Sequence, residues 1–369
     1  MQKIYLLLFI PFFFSACTKS KDSQLFELVE NSGIQFTNKV TDEKDNNIFK
    51  YRNFYNGGGV GIGDINNDGL ADVFFTANQG ANKLFLNKGD FKFEDISDKA
   101  GFSNKTQWST GVTMVDINND GWLDIYVANA GHMMEEDLRK NQLFINNHDL
   151  TFTDSAEAYG LANNGYTTHA SFFDYDMDGD LDCFMVNNSP IPVNTLNYAN
   201  ARDVRAENAD VANFLKGGGD HLYKNEGGKF VEVSAEAGIH GTLISFGLGV
   251  TIGDVNGDAW PDVYVSNDFF EKDYLYINQK NGTFKEELNS RVDYCSTSSM
   301  GGDIADINGD GSPEIFTTDM LPADNDRIKR MVVFEPFHLE DYKYSANYYY
   351  QFIQNCLHLN DGKGNFQEI

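Results

Sequence analysis

The chain has 369 residues, with 55 Asp and Glu against 28 Lys and Arg, and a formal charge of −27. An apolar fraction of 41% with 14% aromatics supports a sizeable core and excludes wholesale disorder; the length allows one large all-β domain or two ordinary ones. Nucleic acid is excluded as a partner, because phosphate binding needs a basic stripe that this chain lacks, and carboxylates this numerous either repel one another or gather around cations.

The first element is a targeting segment. Lys3 precedes an apolar run from Ile4 to Phe14, interrupted at Pro11 and too short to span a bilayer as a helix. The run ends in Phe14-Ser15-Ala16-Cys17, small residues directly before a cysteine. This looks like a bacterial lipobox, which makes residues 1–17 a lipoprotein signal peptide and Cys17 the lipidated N-terminus of an exported protein; plain secretion with an incidental Cys17 is the alternative. Residues 18–24 are polar and small, as a flexible tether would be, and 25–369 are left for the fold. Cys183, Cys295 and Cys356 match no zinc or redox spacing, and the sequence leaves their disulfide state open.

From there an internal repeat organises the chain. One nine-residue phrase occurs five times, with oxygen-bearing side chains at positions 1, 3, 5 and 9. These are Asp64, Asn66, Asp68 and Asp72; Asp116, Asn118, Asp120 and Asp124; Asp174, Asp176, Asp178 and Asp182; Asp254, Asn256, Asp258 and Asp262; and Asp306, Asn308, Asp310 and Glu314. A Gly-rich, β-prone run precedes each phrase, and an apolar strand such as Val263-Tyr264-Val265 follows it. A third run ends in Asn87, Asn146, Asn225, Asn278 or Asn360, and a fourth opens on Phe93, Phe152, Phe230, Phe284 or Phe366. Four short strands per repeat predict an all-β fold, a β-propeller of four-stranded antiparallel blades. Phe26-Glu27 and Gly33-Ile34 mimic a fourth-strand segment, so an orphan fourth strand is expected before blade one. Whether five modules close a small ring or belong to a larger one stays open.

The phrase suits a calcium loop. A hard divalent cation takes six to eight oxygens, and ligands at positions 1, 3 and 5 of a tight loop converge on one point. Position 6 is Gly in four copies, as a left-handed turn requires, and position 9 is always acidic. An EF-hand needs an acid at position 12, where this chain has Phe75, Val127, Met185, Val265 and Thr317, so that reading is rejected. The plainer alternative is a set of metal-free Asx turns. On these motifs residues 24–369 resemble the FG-GAP/VCBS-repeat family, whose propeller blades, as in integrin α-subunits, carry such loops. The resemblance implies up to five Ca²⁺, and it extends to long bacterial lipoproteins of that family found beside outer-membrane glycan-uptake systems. Loop three, with Asp176 in place of Asn and Asp180 nearby, is expected to bind most tightly. Loop four carries Ala259 where the others have Gly, and Glu314 can still reach the ion in loop five.

Insertions at about 187–219 and 319–355 are expected on one edge of the blades, where rigid scaffolds carry function. The second is rich in rings, from Phe334 and Phe337 through Tyr342, Tyr344, Tyr348, Tyr349, Tyr350 and Phe352. Such rings either cap the blade ends, the reading favoured here, or form a platform for sugars or a partner. Catalytic residues are expected to be none, since every clustered carboxylate has an ion-binding explanation. The expected function is a calcium-binding, lipid-anchored module of the cell envelope, on the outer membrane, for a protein or glycan ligand. A propeller enzyme acting on polysaccharide, or a structural subunit of an outer-membrane complex, is the alternative.

Overall fold

A computed structural model describes residues 26–102, 107–191, 202, 204–269, 271–331 and 337–369. The signal peptide, Cys17 and the tether lie outside the described residues. Each repeat forms one four-stranded antiparallel sheet whose strands follow chain order, and five such sheets stand side by side. Blade one is built from Val60–Gly63, Asp72–Phe75, Lys83–Asn87 and Phe93–Asp95. In blades two to five the second strands are Asp124–Ala130, Asp182–Asn187, Asp262–Asn267 and Glu314–Thr318. The third strands are Gln142–Asn146, His221–Asn225, Tyr274–Asn278 and Cys356–Asn360.

The first strands (Val60–Gly63, Trp108–Val115, Thr167–Phe173, Gly247–Gly253 and Gly301–Ala305) run beside one another in chain order. Their glycines allow that approach: a Cβ on Gly111 would stand 2.4 Å from the carbonyl oxygen of Thr168. Gly59, Thr110, Gly111, Thr168, Leu248 and Met300, drawn from all five blades, line one pocket at the centre of this arrangement. The blades are thus arranged as in a β-propeller.

The core lies between blades. Successive residues of a second strand point to opposite faces, so each second strand feeds two interfaces. Phe74 packs forward onto Ile125 and Val127, Tyr126 onto Cys183 and Met185, Phe184 onto Val263 and Val265, and Tyr264 onto Ile315. These four forward-facing rings are at most 1% exposed, whereas Phe316, the same position in blade five, is 40% exposed. Val60 and Ile62 on the rear face of blade one are exposed as well. Among the described residues, therefore, no blade covers the two ends of the stack.

The segment before blade one does not form the expected orphan strand, and Phe26 is exposed. Its Gly33 nevertheless sits against Phe93, as Gly160 does against Phe230 and Gly238 against Phe284, and the Phe93 N–H donates to the Ser32 carbonyl. One inter-blade contact is thus kept without the strand. Further on, Tyr51 and Phe54 pack with Trp108 and Tyr166, while the Arg52 guanidinium lies over the rings of Phe246 and Phe269. Cys183, Cys295 and Cys356 are buried free thiols.

His358 occupies a position that holds Phe85, Phe144, Tyr223 and Tyr276 in the other blades. It is fully buried, neither ring nitrogen has a hydrogen-bond partner, and burial pushes its pKa down to about 4. The folded state therefore keeps it neutral while the unfolded chain takes up a proton below about pH 6.5. Stability is lost as pH falls through that window, by about 2 kcal/mol at pH 5. His358→Phe is expected to remove that loss, and urea unfolding at pH 7.5 and pH 5 measures it; an equal pH dependence in both proteins would refute the assignment.

Candidate metal centre

All five acidic phrases fold alike, between the first and second strands of their blades. In every loop the position-1 aspartate accepts the backbone N–H groups of positions 5 and 6, and in loops one, four and five a third from position 3 or 4. The position-5 N–H donates to Oδ1 at 3.0–3.2 Å, and the position-6 N–H to Oδ2 at 2.7–3.0 Å. The loop closes because position 6 is left-handed, with φ between 67° and 101° from Gly69 through Ala259 to Gly311. Position 4 is left-handed too, in Asn67, Asn119, Met177, Gly257 and Gly309. The Asn and Gly residues there were a visible signal of that turn, which the reading of position 6 alone missed.

This geometry yields a stability prediction. The position-6 glycines have open space where a Cβ would stand, so Ala259 carries backbone strain and no clash. Ala259→Gly and Met177→Gly are each expected to stabilise the chain by at most about 1 kcal/mol, offset in part by a looser unfolded chain. Calcium titration of Ala259→Gly should show tighter binding at loop four; weaker binding would mean that the Cβ supports the loop.

Position 9 ties the loop to its blade. Asp72, Asp124, Asp182 and Asp262 are fully buried and accept the position-2 N–H on one oxygen. The other oxygen accepts the N–H of the third strand's final asparagine, Asn87, Asn146, Asn225 or Asn278, at 2.7–2.8 Å. Glu314 differs: its extra methylene turns Oε1 back onto the Asn308 amide at 3.1 Å, inside its own loop. Sequence reasoning noted the recurring asparagine without giving it a role. Its side-chain amide links blades, since Asn146 donates to the Ile65 carbonyl, Asn278 to that of Tyr175 and Asn360 to that of Val255.

The electrostatics point toward a cation. Burial first, then the neighbouring carboxylates, pushes Asp124 up to about 6, and Asp182 and Asp262 up to about 7; Asp72 moves the same way. In loop three carboxylate oxygens of Asp174, Asp176 and Asp182 lie within 4.8 Å of one another. Oδ1 of Asp176 and Oδ1 of Asp180 are buried there without a hydrogen-bond partner. Hard, anionic oxygens gathered in one loop, two of them buried and unpaired, are the kind of donor set that Ca²⁺ takes, so the residues fit the ion. In loops one and two the position-3 amide instead donates to the position-5 carboxylate, Asn66 to Asp68 at 3.0 Å and Asn118 to Asp120 at 2.9 Å. Trp122 at position 7 stacks on His148, whose ring contacts Asp120.

The two insertions meet over blades three and four. Tyr348 is buried among Ile191, Ala206, Leu243, Ile244 and Phe246, under the Arg202 guanidinium, which pairs with the buried Glu271. Tyr342, Tyr344, Tyr350 and Phe352 stay exposed, with Tyr344 and Tyr350 ring centroids 4.7 Å apart. Capping thus accounts for Tyr348, and an exposed aromatic surface remains beside it. Phe334 lies outside the described residues.

Blades of this design, each with an acidic nine-residue loop between its first two strands, define a repeat protein of β-propeller type. The FG-GAP-like repeat family matches residues 64–127 and 254–317, spanning loops one, two, four and five, and the chain carries FG-GAP-like repeats. Cartilage acidic protein 1 of Xenopus tropicalis is 34% identical over 137 residues, 37% of this chain and 20% of that protein. The Homo sapiens protein of that name is 40% identical over 76 residues, 20% of this chain and 12% of its own length. The chain therefore spans a fifth or less of these relatives. Among solved structures, an Agrocybe aegerita lectin specific for non-reducing terminal N-acetylglucosamine aligns with a TM-score of 0.41 at 17% identity, over 83% of this chain and 63% of the lectin. The Vibrio cholerae biofilm matrix protein Bap1 aligns with a TM-score of 0.37 at 12% identity, over 84% of this chain and 38% of that one.

Proposed function

We propose that the chain is a calcium-stabilised binding module of the cell envelope, held to the outer membrane by acylation at Cys17, that offers its insertion surface to a protein or glycan ligand without catalysis. The observation that carries this reading is the fivefold loop, whose buried position-9 acids and unpaired loop-three oxygens call for a divalent cation. Calcium at each loop would neutralise those acids and brace the turn between the first two strands of its blade. The exposed rings of Tyr342, Tyr344, Tyr350 and Phe352 supply flat apolar faces of the kind that stack on sugars or on a partner's side chains. No helix among the described residues is long and apolar enough to cross a membrane.

Two experiments test it. Labelled palmitate is expected in the wild type and absent from Cys17→Ala; label that survives the substitution refutes the anchor. A glycan array run beside hydrolysis assays separates binding from catalysis, and cleavage of any bound glycan would overturn the non-enzymatic part.

A further inference from the structure

Among the features that set loop three apart from its sister loops, two charged side chains face each other. Its position 3 is Asp176 where the other four have Asn66, Asn118, Asn256 and Asn308. On its third strand Lys224 stands where the other blades have Leu86, Ile145, Ile277 and Leu359. In the folded chain the Lys224 ammonium bonds Asp176 Oδ2 and lies 3.2 Å from Asp178 Oδ2. Asp176 is largely buried, and its other oxygen, Oδ1, is buried without a hydrogen-bond partner. The negative charge added at position 3 is thus matched by one added positive charge, on a neighbouring strand of the same blade, while Asp180 at position 7 adds a further carboxylate to this loop.

We propose that Lys224 is a built-in counter-cation of loop three, which holds this loop closed without a divalent ion and weakens the ion the loop would take. The proposal rests on the calcium reading above for its second half. A fixed ammonium near the ligand oxygens repels an incoming Ca²⁺ and occupies one carboxylate oxygen of both Asp176 and Asp178. Without an ion it stands in for part of the missing charge, so blade three should depend least on calcium. Ranking the loops by their own carboxylates puts loop three first for affinity; including Lys224 lowers that rank.

The test is a double-mutant cycle in the full chain, with Lys224→Leu, Asp176→Asn and both together, the double variant carrying blade one's residues at those two positions. Melting is followed in EDTA and in Ca²⁺, and Ca²⁺ binding is measured by titration calorimetry. Lys224→Leu is expected to melt lower than wild type in EDTA, to gain more from Ca²⁺, and to bind one ion about tenfold more tightly. The double variant should return to the wild-type melting temperature in EDTA. A Lys224→Leu protein with unchanged EDTA melting and unchanged titration overturns the proposal, as does a double variant no more stable than the single one. A wild type that binds no Ca²⁺, yet whose double variant still rescues Lys224→Leu in EDTA, overturns the calcium reading and supports Lys224 as the charge that closes the loop.

Discussion

Removing calcium is expected to lower the melting temperature of the whole chain, and Ca²⁺ is expected to restore it better than Mg²⁺. An ion that binds only the folded state adds about 2.7 kcal/mol per site at a hundredfold excess over Kd, and the repeat offers up to five sites. Mg²⁺ demands a tighter octahedron than these loops present. The effect should also depend on pH. Asp124, Asp182 and Asp262 have folded-state pKa values raised to about 6 or 7, so without metal each binds protons more readily folded than unfolded. Their contribution is favourable at low pH and is lost as pH rises through 6 to 7. Calcium supplies the missing positive charge, so its gain in melting temperature should be larger at pH 7.5 than at pH 5.5. Melting curves in EDTA, Ca²⁺ and Mg²⁺ at both pH values decide it, and curves that do not move with EDTA would return all five loops to metal-free turns.

Truncating one forward-facing ring in the middle of the stack should cost far more than truncating its counterpart at the end. Phe184 is fully buried between blades three and four, so Phe184→Ala is expected to destabilise by about 3–5 kcal/mol through lost burial and a cavity. Phe316 holds the same position in blade five and is 40% exposed, with no blade against it among the described residues, so Phe316→Ala should cost about 1 kcal/mol. Urea unfolding of the two variants measures the difference. Equal costs would mean that the forward face of blade five is covered in solution, and that the end of the stack is not free.

The blades and their loops were legible in the sequence for a local reason. A nine-residue phrase with acids at fixed places, followed by a strand ending in asparagine and another opening on phenylalanine, specifies each sheet and its turns within a single repeat. The left-handed turn at position 6 could be read from Gly69 or Gly121, because only backbone freedom explains glycine there five residues after the aspartate. What the sequence left hidden depends on atoms far apart in the chain. That Phe74, Tyr126, Phe184 and Tyr264 are buried while Phe316 is not follows from which blade has a neighbour, and identical local patterns carry no record of it. The link from Asn146 to Ile65 spans 81 residues, and only the packed blades bring the two together. Lys224 reads as a lone lysine in an apolar stripe until the third strand places it beside Asp176, 48 residues away, where burial gives each charge a reason for the other. The repeat therefore determined the blades and their loops. Tertiary packing alone decided which interfaces are filled and how the charge at loop three is balanced, because burial and Coulomb energy act between strands and not along them.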